Sequence, residues 1–253
     1  MVLEKISRLA EQFSRQEEGQ VTTDGLIVKT PQHLAITMEG IAAYAQRSKG
    51  EYSSVYEKSF SFLREILGYQ VKNSIPVVTI LVIPESTKKD SDHYPHLLAC
   101  LEQFLAAFSR DEAVHTNKVK VSVLGKWYDL PGKIIDPIKA ILDETKDYDS
   151  FFFNLCINYN GQEEIVDACK LICRQAKAEK IDTESITKDT IKENCYSSYF
   201  VPPSLYIKTG ITQTLPGLLL WDSLYAKIFF TGKYWPELKI ADIVRAVKFY
   251  QTN

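Results

Sequence analysis

The chain has 253 residues, 45% of them hydrophobic and 25% charged, with a formal net charge of −2 from 30 basic and 32 acidic side chains. That length suits one large α/β domain with a core that needs no covalent staples, and the near-neutral charge lacks the basic bias of a nucleic-acid binder. Five cysteines, an odd number, and a charged N-terminus without a signal-peptide pattern point to a reduced, cytoplasmic protein; the longest apolar run, Ile75 to Ile83, is too short to span a bilayer, so any membrane contact is peripheral.

Residues 1–30 read as an N-terminal helical extension, because Val2, Leu3, Ile6, Leu9, Ala10 and Phe13 recur at helical spacing until Thr22 to Gly25 break the pattern. The domain proper covers residues 31–253. Leu34 to Met38 is a short buried strand that ends at Glu39-Gly40, and a helix over Ser54 to Leu67 follows with Phe60, Leu63, Ile66 and Leu67 on one face. Ile75 to Ile83 is nearly all apolar, as in a strand covered on both faces of a parallel sheet.

A polar loop over Pro84 to Tyr94 leads to a helix from His96 to Phe108, the strand Val119 to Leu124, and a helix opened by Leu130-Pro131 and running to Lys146. Phe151 to Tyr159 is the next strand, Gln162 to Glu179 its helix, and Asp182 to Phe200 a polar stretch with a short helix inside it. Leu205 to Ile207 then runs into a turn at Lys208, Thr209 and Gly210, followed by a polar loop, a long apolar helix from Leu219 to Phe230, and Tyr234, Trp235 and Pro236 as punctuation.

Strands alternating with helices at this interval predict a single α/β domain: a mostly parallel central sheet with helices on both faces. A strand that ends in a glycine turn ahead of a helix is where such folds bind anions. Cys169 and Cys173 have helical rather than zinc-ligand spacing, and His33, His93, His96 and His115, which show no triad or metal pattern, are expected on loops or the surface.

The run from Asn158 to Ala168, the turn from Lys208 to Gly210, Leu219 to Trp221, Tyr225-Ala226, Phe230-Thr231 and Trp235-Pro236 together resemble the cis-prenyltransferases, the undecaprenyl diphosphate synthase family. The similarity holds one register from about Leu34 to Tyr250 and includes Leu124-Gly125 and Leu130-Pro131. The resemblance implies a fold of the undecaprenyl diphosphate synthase type and a chemistry in which an allylic diphosphate ionises, with Mg²⁺ and basic residues stabilising the departing pyrophosphate, and isopentenyl diphosphate attacks the carbocation.

Carried over position by position, the resemblance keeps the scaffold and loses the chemistry. The family's Met-Asp-Gly-Asn-x-Arg-Trp-Ala falls on Met38 to Ala45, so Glu39 stands at the Mg²⁺-binding Asp, Gly40 keeps the glycine, Ile41 replaces the Asn, Ala43 the Arg and Tyr44 the Trp. An Arg and a His at the start of the next helix become Tyr52 and Tyr56, and the Ser-x-Glu-Asn loop becomes Pro84 to Thr87, with a stray carboxylate at Glu85. In the isopentenyl-diphosphate loop, Lys208 replaces the first Arg, Thr209 and Gly210 are kept, and Thr212, Thr214 and Pro216 replace a Glu, an Arg and a Ser. Lys227 stands at a metal-binding Glu, where an ammonium would act as a fixed point charge.

These departures put chain elongation and the Mg²⁺ cofactor in doubt while leaving three roles. The first is a non-catalytic subunit, forming a homodimer or a heterodimer with an intact cis-prenyltransferase through the Leu219 to Phe230 region. The second is an active prenyl or terpene transferase with altered ligation of an isoprenyl diphosphate. The third is a binding module for a prenyl chain or prenyl lipid, held in a tunnel between the sheet and the helices over Ser54 to Leu67 and His96 to Phe108.

Overall fold

The computed structural model describes residues 20–21 and 27–252, and from residue 29 onward their side chains as well. The helix expected over residues 1–20 lies outside the described residues save Gln20, which with Val21 forms β1 and pairs antiparallel with Ile27–Val28, β2. From there the chain alternates. His33–Thr37 (β3) leads through Ile41–Ser48 (α1) and Tyr52–Lys72 (α2) to Val77–Pro84 (β4), and Tyr94–Phe108 (α3) with Glu112–Thr116 (α4) leads to Val119–Leu124 (β5). Gly132–Glu144 (α5), Phe151–Tyr159 (β6), Gly161–Lys177 (α6), Lys188–Asn194 (α7), Leu205–Lys208 (β7), Lys227–Phe230 (β8) and Ile240–Thr252 (α8) complete it.

Strands β3 to β8 form one sheet in the order β5-β6-β4-β3-β7-β8, and every neighbouring pair is parallel. The apolar runs read from the sequence follow from this: β3, β4 and β7 lie inside the sheet, so both of their faces need hydrophobic side chains. On one face Ile36, Val78, Ile80, Phe153 and Ile207 meet α2, α3, α5 and α8 in the larger core. On the other, Ala35, Leu81, Cys156 and Tyr206 are covered by Phe200, Leu218 and Leu219, and α6, which buries Ala168 and Ile172, packs against α7.

The long apolar helix expected from Leu219 to Phe230 does not form. Gly217 and Leu219 take positive φ values of 77° and 49°, which end any helix there, and Leu218 and Leu219 turn inward onto the sheet. After a single 3₁₀ turn at Asp222–Tyr225, the residues Lys227–Phe230 pair with β7 from Leu205↔Lys227 to Lys208↔Phe230. A short apolar run serves a strand as readily as a helix, and the β-branched and aromatic Ile228, Phe229 and Phe230 suit the pleated edge. Three further helices, α1, α4 and α8, have no counterpart among the elements expected from the sequence.

His33 is likewise not on the surface. It is fully buried at the start of β3, with Nδ1 2.6 Å from the Val201 carbonyl oxygen and Nε2 2.7 Å from the Thr79 hydroxyl, which in turn accepts from Asn154 Nδ2 at 3.0 Å. Burial lowers its pKa to about 4, against a smaller raising effect of the Val201 carbonyl, with the Lys192 charge adding to the depression. Because the unfolded chain takes up this proton near pH 6.5, the stability from a neutral buried imidazole is complete above that pH. It is lost as pH falls toward 4, amounting to about 3 kcal/mol. Urea unfolding at pH 7 and pH 4.5 should show that loss in the native protein, and His33→Gln should flatten it.

Candidate functional site

The order of the strands fixes where a site can form. From β3 the chain moves to β4 on one side, whereas β7 connects to β8 on the other, so a crevice opens between the C-terminal ends of β3 and β7. Side chains hold the two strand ends together past the last rungs of the ladder. The Thr209 hydroxyl donates to the Thr37 carbonyl oxygen at 2.6 Å and accepts from the Glu39 N–H at 3.0 Å, while the Thr209 N–H donates to the Thr37 hydroxyl at 2.9 Å.

This clasp sets Glu39 against Lys208. The Lys208 ammonium lies 2.7 Å from Glu39 Oε2 and also donates to the Thr209 carbonyl at 2.6 Å and, at 3.4 Å, to the Thr212 hydroxyl. Lys208 is 1% exposed, and the Glu39 side chain 23%. Glu39 Oε1 is buried without a hydrogen-bond partner. Gly210 closes over the pair, since a Cβ there would come within 3.2 Å of Glu39 Oε2, and its N–H donates to the Lys233 carbonyl.

Gly40 caps the N-terminus of α1 with φ 79°, and the Tyr234 ring packs so closely on it that a Cβ would overlap the ring. The segment carrying that ring is tied down by the Trp235 N–H, which donates to the Glu39 carbonyl at 2.9 Å, and by the Trp235 indole N–H, which donates to the Ser59 carbonyl at 3.0 Å. Arg47 lies 4.9 Å over the Tyr234 ring and 5.7 Å over that of Tyr44, and its guanidinium is paired with Glu237 at 2.5 Å. Lys233 is paired with Asp242 at 2.7 Å. Ile41 is buried in the larger core, and Ala43 is exposed.

Tyr52 and Tyr56 join two histidines whose spacing in the sequence gave no signal. The Tyr56 hydroxyl is 2.8 Å from His93 Nδ1, and Ser53 Oγ is 2.7 Å from His96 Nδ1. The Tyr52 ring lies 5.9 Å from each imidazole and its hydroxyl accepts from Gln46 on α1 at 3.1 Å. Burial lowers the His93 pKa, outweighing the opposite pull of Asp92, and raises that of Tyr56. Where the resemblance implied a guanidinium and a histidine from α2, the structure thus has phenols from α2 and imidazoles from α3.

Other expected residues are not brought in. Thr214 and Pro216 are exposed on the loop after Gly210, and of that loop Thr212 alone touches Lys208. Lys227 sits opposite Leu205, at the far end of the β7–β8 pair from Lys208, or about 10 Å along the strand. There it donates to the Tyr250 carbonyl at 3.0 Å and lies 4.7 Å over the Tyr250 ring, so within this chain it is no part of the crevice. Glu85 accepts from Asn160 at 3.0 Å.

The crevice does not fit a divalent cation at Glu39. Among the described residues no three His, Cys, Asp or Glu side chains converge as a metal would need, and the place beside Glu39 Oε2 is filled by an ammonium. Nor does the space between α2, α3 and the sheet hold an open tunnel at its middle. The buried rings of Phe60, Phe104, Phe108 and Phe153 form a continuous row with centroid separations of 5.4, 4.9 and 5.5 Å.

A second polar network, legible only as a motif in the sequence, holds the wall of the crevice. Buried Glu164 accepts from the Tyr159 hydroxyl and from the Ser197 N–H, and the same Tyr159 oxygen accepts from the Leu219 N–H at 3.0 Å. Burial raises the pKa of Glu164, partly countered by these hydrogen bonds. Asp222 is bound by Lys192 at 2.5 Å and by the Ser197 hydroxyl at 2.7 Å.

Comparison with known proteins places this geometry. The family model described as "Putative undecaprenyl diphosphate synthase" matches residues 37–253. The chain is 32% identical over 225 residues to a tritrans,polycis-undecaprenyl-diphosphate synthase (geranylgeranyl-diphosphate specific) of Methanocaldococcus jannaschii, covering 87% of this chain and 80% of that protein. It is 30% identical to the synthase of the same name from Thermoplasma volcanium (87% and 86%) and 26% identical to an isoprenyl transferase of Deinococcus radiodurans (88% and 83%). Among solved structures, lavandulyl diphosphate synthase from Lavandula x intermedia, in complex with dimethylallyl diphosphate, superposes with a TM-score of 0.83 at 22% identity, covering 88% of this chain and 96% of that one, a likeness of fold.

The contact between Gly40 and the Tyr234 ring can be measured. Gly40→Ala should cost about 2–4 kcal/mol, combining the left-handed backbone penalty with overlap on the ring. Tyr234→Ala in the same chain should remove the overlap and return more than about 1 kcal/mol in a double-mutant cycle followed by urea unfolding.

Proposed function

Since the chain belongs to the undecaprenyl diphosphate synthase family of cis-prenyltransferases, we propose that it is a member that does not extend prenyl chains by itself and serves as a non-catalytic subunit beside an intact one. Its relatives are named as synthases and transferases; the departure lies in this chain's own residues. One observation carries the reading: the buried Lys208–Glu39 ion pair, which consumes both the carboxylate of the first motif and the cation of the second.

Chain elongation of the family type needs charge to be stabilised on a departing pyrophosphate. Loss of one such donor typically costs about 10²–10³ in rate, and here Ile41, Ala43, Tyr52 and Tyr56 stand at positions where the family supplies donors. The Tyr234 ring packs directly against Gly40, the glycine of the first motif at the start of α1, and fills the space beside it. Arg47 and Lys233, the nearby cations, each already hold a carboxylate.

An open sheet edge supports the subunit role. Among the described residues strand β8 has a neighbour on one side only, and beside it Leu224, Tyr225 and Phe230 are 75%, 91% and 40% exposed. An apolar edge of this kind favours pairing with another chain.

The purified protein, given geranylgeranyl or farnesyl diphosphate with labelled isopentenyl diphosphate and Mg²⁺, should form no polyprenyl product, while the Thermoplasma volcanium relative assayed alongside should. Long-chain product from the protein alone overturns the reading.

A further inference from the structure

The five cysteines divide into two groups. Cys100, Cys156 and Cys195 are buried, whereas Cys169 and Cys173, both on α6, are exposed free thiols. Burial pushes the Cys156 thiol well above its ordinary range and that of Cys195 up to about 12, so neither offers a thiolate near neutral pH. The exposed pair stands four residues apart on one helix, which puts both side chains on one face, a turn apart. That face looks outward, for Val166 beside it is exposed too, while the buried residues of α6 are Gly161, Glu164, Ala168 and Ile172.

The turn beneath the two thiols is held on either side. Asn160 caps the helix by accepting from the Gln162 N–H at 2.9 Å, and Glu164 is bound by Tyr159 and Ser197. Beyond the thiols, Gln175 Nε2 donates to Asn194 Oδ1 on α7 at 2.8 Å. On such a fixed helix the Cβ atoms of residues four apart lie about 5–6 Å from each other. A disulfide needs about 3.5–4.5 Å between Cβ atoms, so the pair cannot close on itself. An atom bonded to each sulfur at about 2.3 Å holds the sulfurs roughly 3.8–4.6 Å apart, which two side chains in staggered rotamers can span.

Among the described residues no group of three or more His, Cys, Asp or Glu side chains could hold a metal ion. Structural zinc, which takes four protein ligands, is therefore not served. Two unaccompanied thiols suit a soft centre that is content with two sulfurs or brings its third group with it.

We propose that Cys169 and Cys173 form a two-thiol chelate on the outer face of α6 for a soft, thiophilic centre such as trivalent arsenic. With an arsenical R–As=O, the two S–H bonds and the As=O bond break, two As–S bonds form, and both protons leave with the oxide oxygen as water. Arsenic stays trivalent, so no oxidant or reductant takes part. The bound atom staples the middle of the helix whose first turn carries Glu164 and, through Tyr159, the wall of the crevice.

Titration of the reduced, full-length protein with phenylarsine oxide tests this. Intact-mass spectrometry should show one equivalent taken up, and with it should go both thiols that react with Ellman's reagent in the native protein. The dithiol 2,3-dimercaptopropanol should restore them, and the monothiol glutathione should not. Cys169→Ser and Cys173→Ser should each weaken uptake by about 10²-fold or more, because the second bond is no longer intramolecular. Cys195→Ala, with its thermal unfolding unchanged, should bind as the native protein does. Failure to take up the arsenical, removal of it by glutathione, or full uptake by either serine variant overturns the inference. So does loss of uptake in folded Cys195→Ala, which would put the second sulfur on α7.

Discussion

The hydroxyl of Thr209 is the joint on which this crevice turns. By donating to the Thr37 carbonyl and accepting from the Glu39 N–H, it locks the end of one strand to the end of another that lies 172 residues away in sequence. Parallel strands cannot be joined by a tight turn, so their ends meet only because the whole sheet is assembled around them. Once Thr37 and Thr209 are clasped, Glu39 and Lys208 have little freedom to do anything but face each other. The position of Gly210, and through Lys233 and Trp235 that of the Tyr234 ring, follows from the same clasp.

The balance of energies at this point favours closure. A buried carboxylate and a buried ammonium are each costly to desolvate, and their attraction offsets that cost only when the geometry is good and further hydrogen bonds complete the shell. Here the ammonium has three oxygen partners within 3.4 Å. The site is stable as it stands, which is the opposite of a cluster of like charges held ready for a counter-ion. A sheet that carries buried polar groups such as His33, Thr79 and Asn154 through its middle shows the same habit: the three are joined by hydrogen bonds, and burial keeps the His33 ring neutral.

Much of the architecture was legible because a two-faced parallel sheet writes itself into sequence as uninterrupted apolar runs; β5 and β6 came out with their observed ends, Val119–Leu124 and Phe151–Tyr159. The failure at Leu219 to Phe230 arose where periodicity carries no information, in an apolar stretch whose fate was decided by the open edge of β7. For the site, the motif register assigned Glu39 and Gly40 to one diphosphate motif and Lys208, Thr209 and Gly210 to a second, and the fold sets the two motifs side by side. What no pattern could show was the contact between them, nor the arrival of His93 and His96 beside Tyr52, because these depend on side chains from separate loops. Lys227 was misplaced for a related reason: a register along the chain does not say at which end of a strand pair a residue will stand.

The Glu39–Lys208 pair also bears on how such a chain can change. Replacing either member alone strands the other as a buried, uncompensated charge, at a cost of about 3–5 kcal/mol, a large share of what holds a typical domain folded. The two codons lie 169 residues apart and would have to change together, or through an intermediate in which both are neutral. The ion pair is therefore a ratchet: a lineage that has acquired it can drift freely at the exposed Thr214 or Ala43, yet finds the step back to an open anion site barred by its own stability.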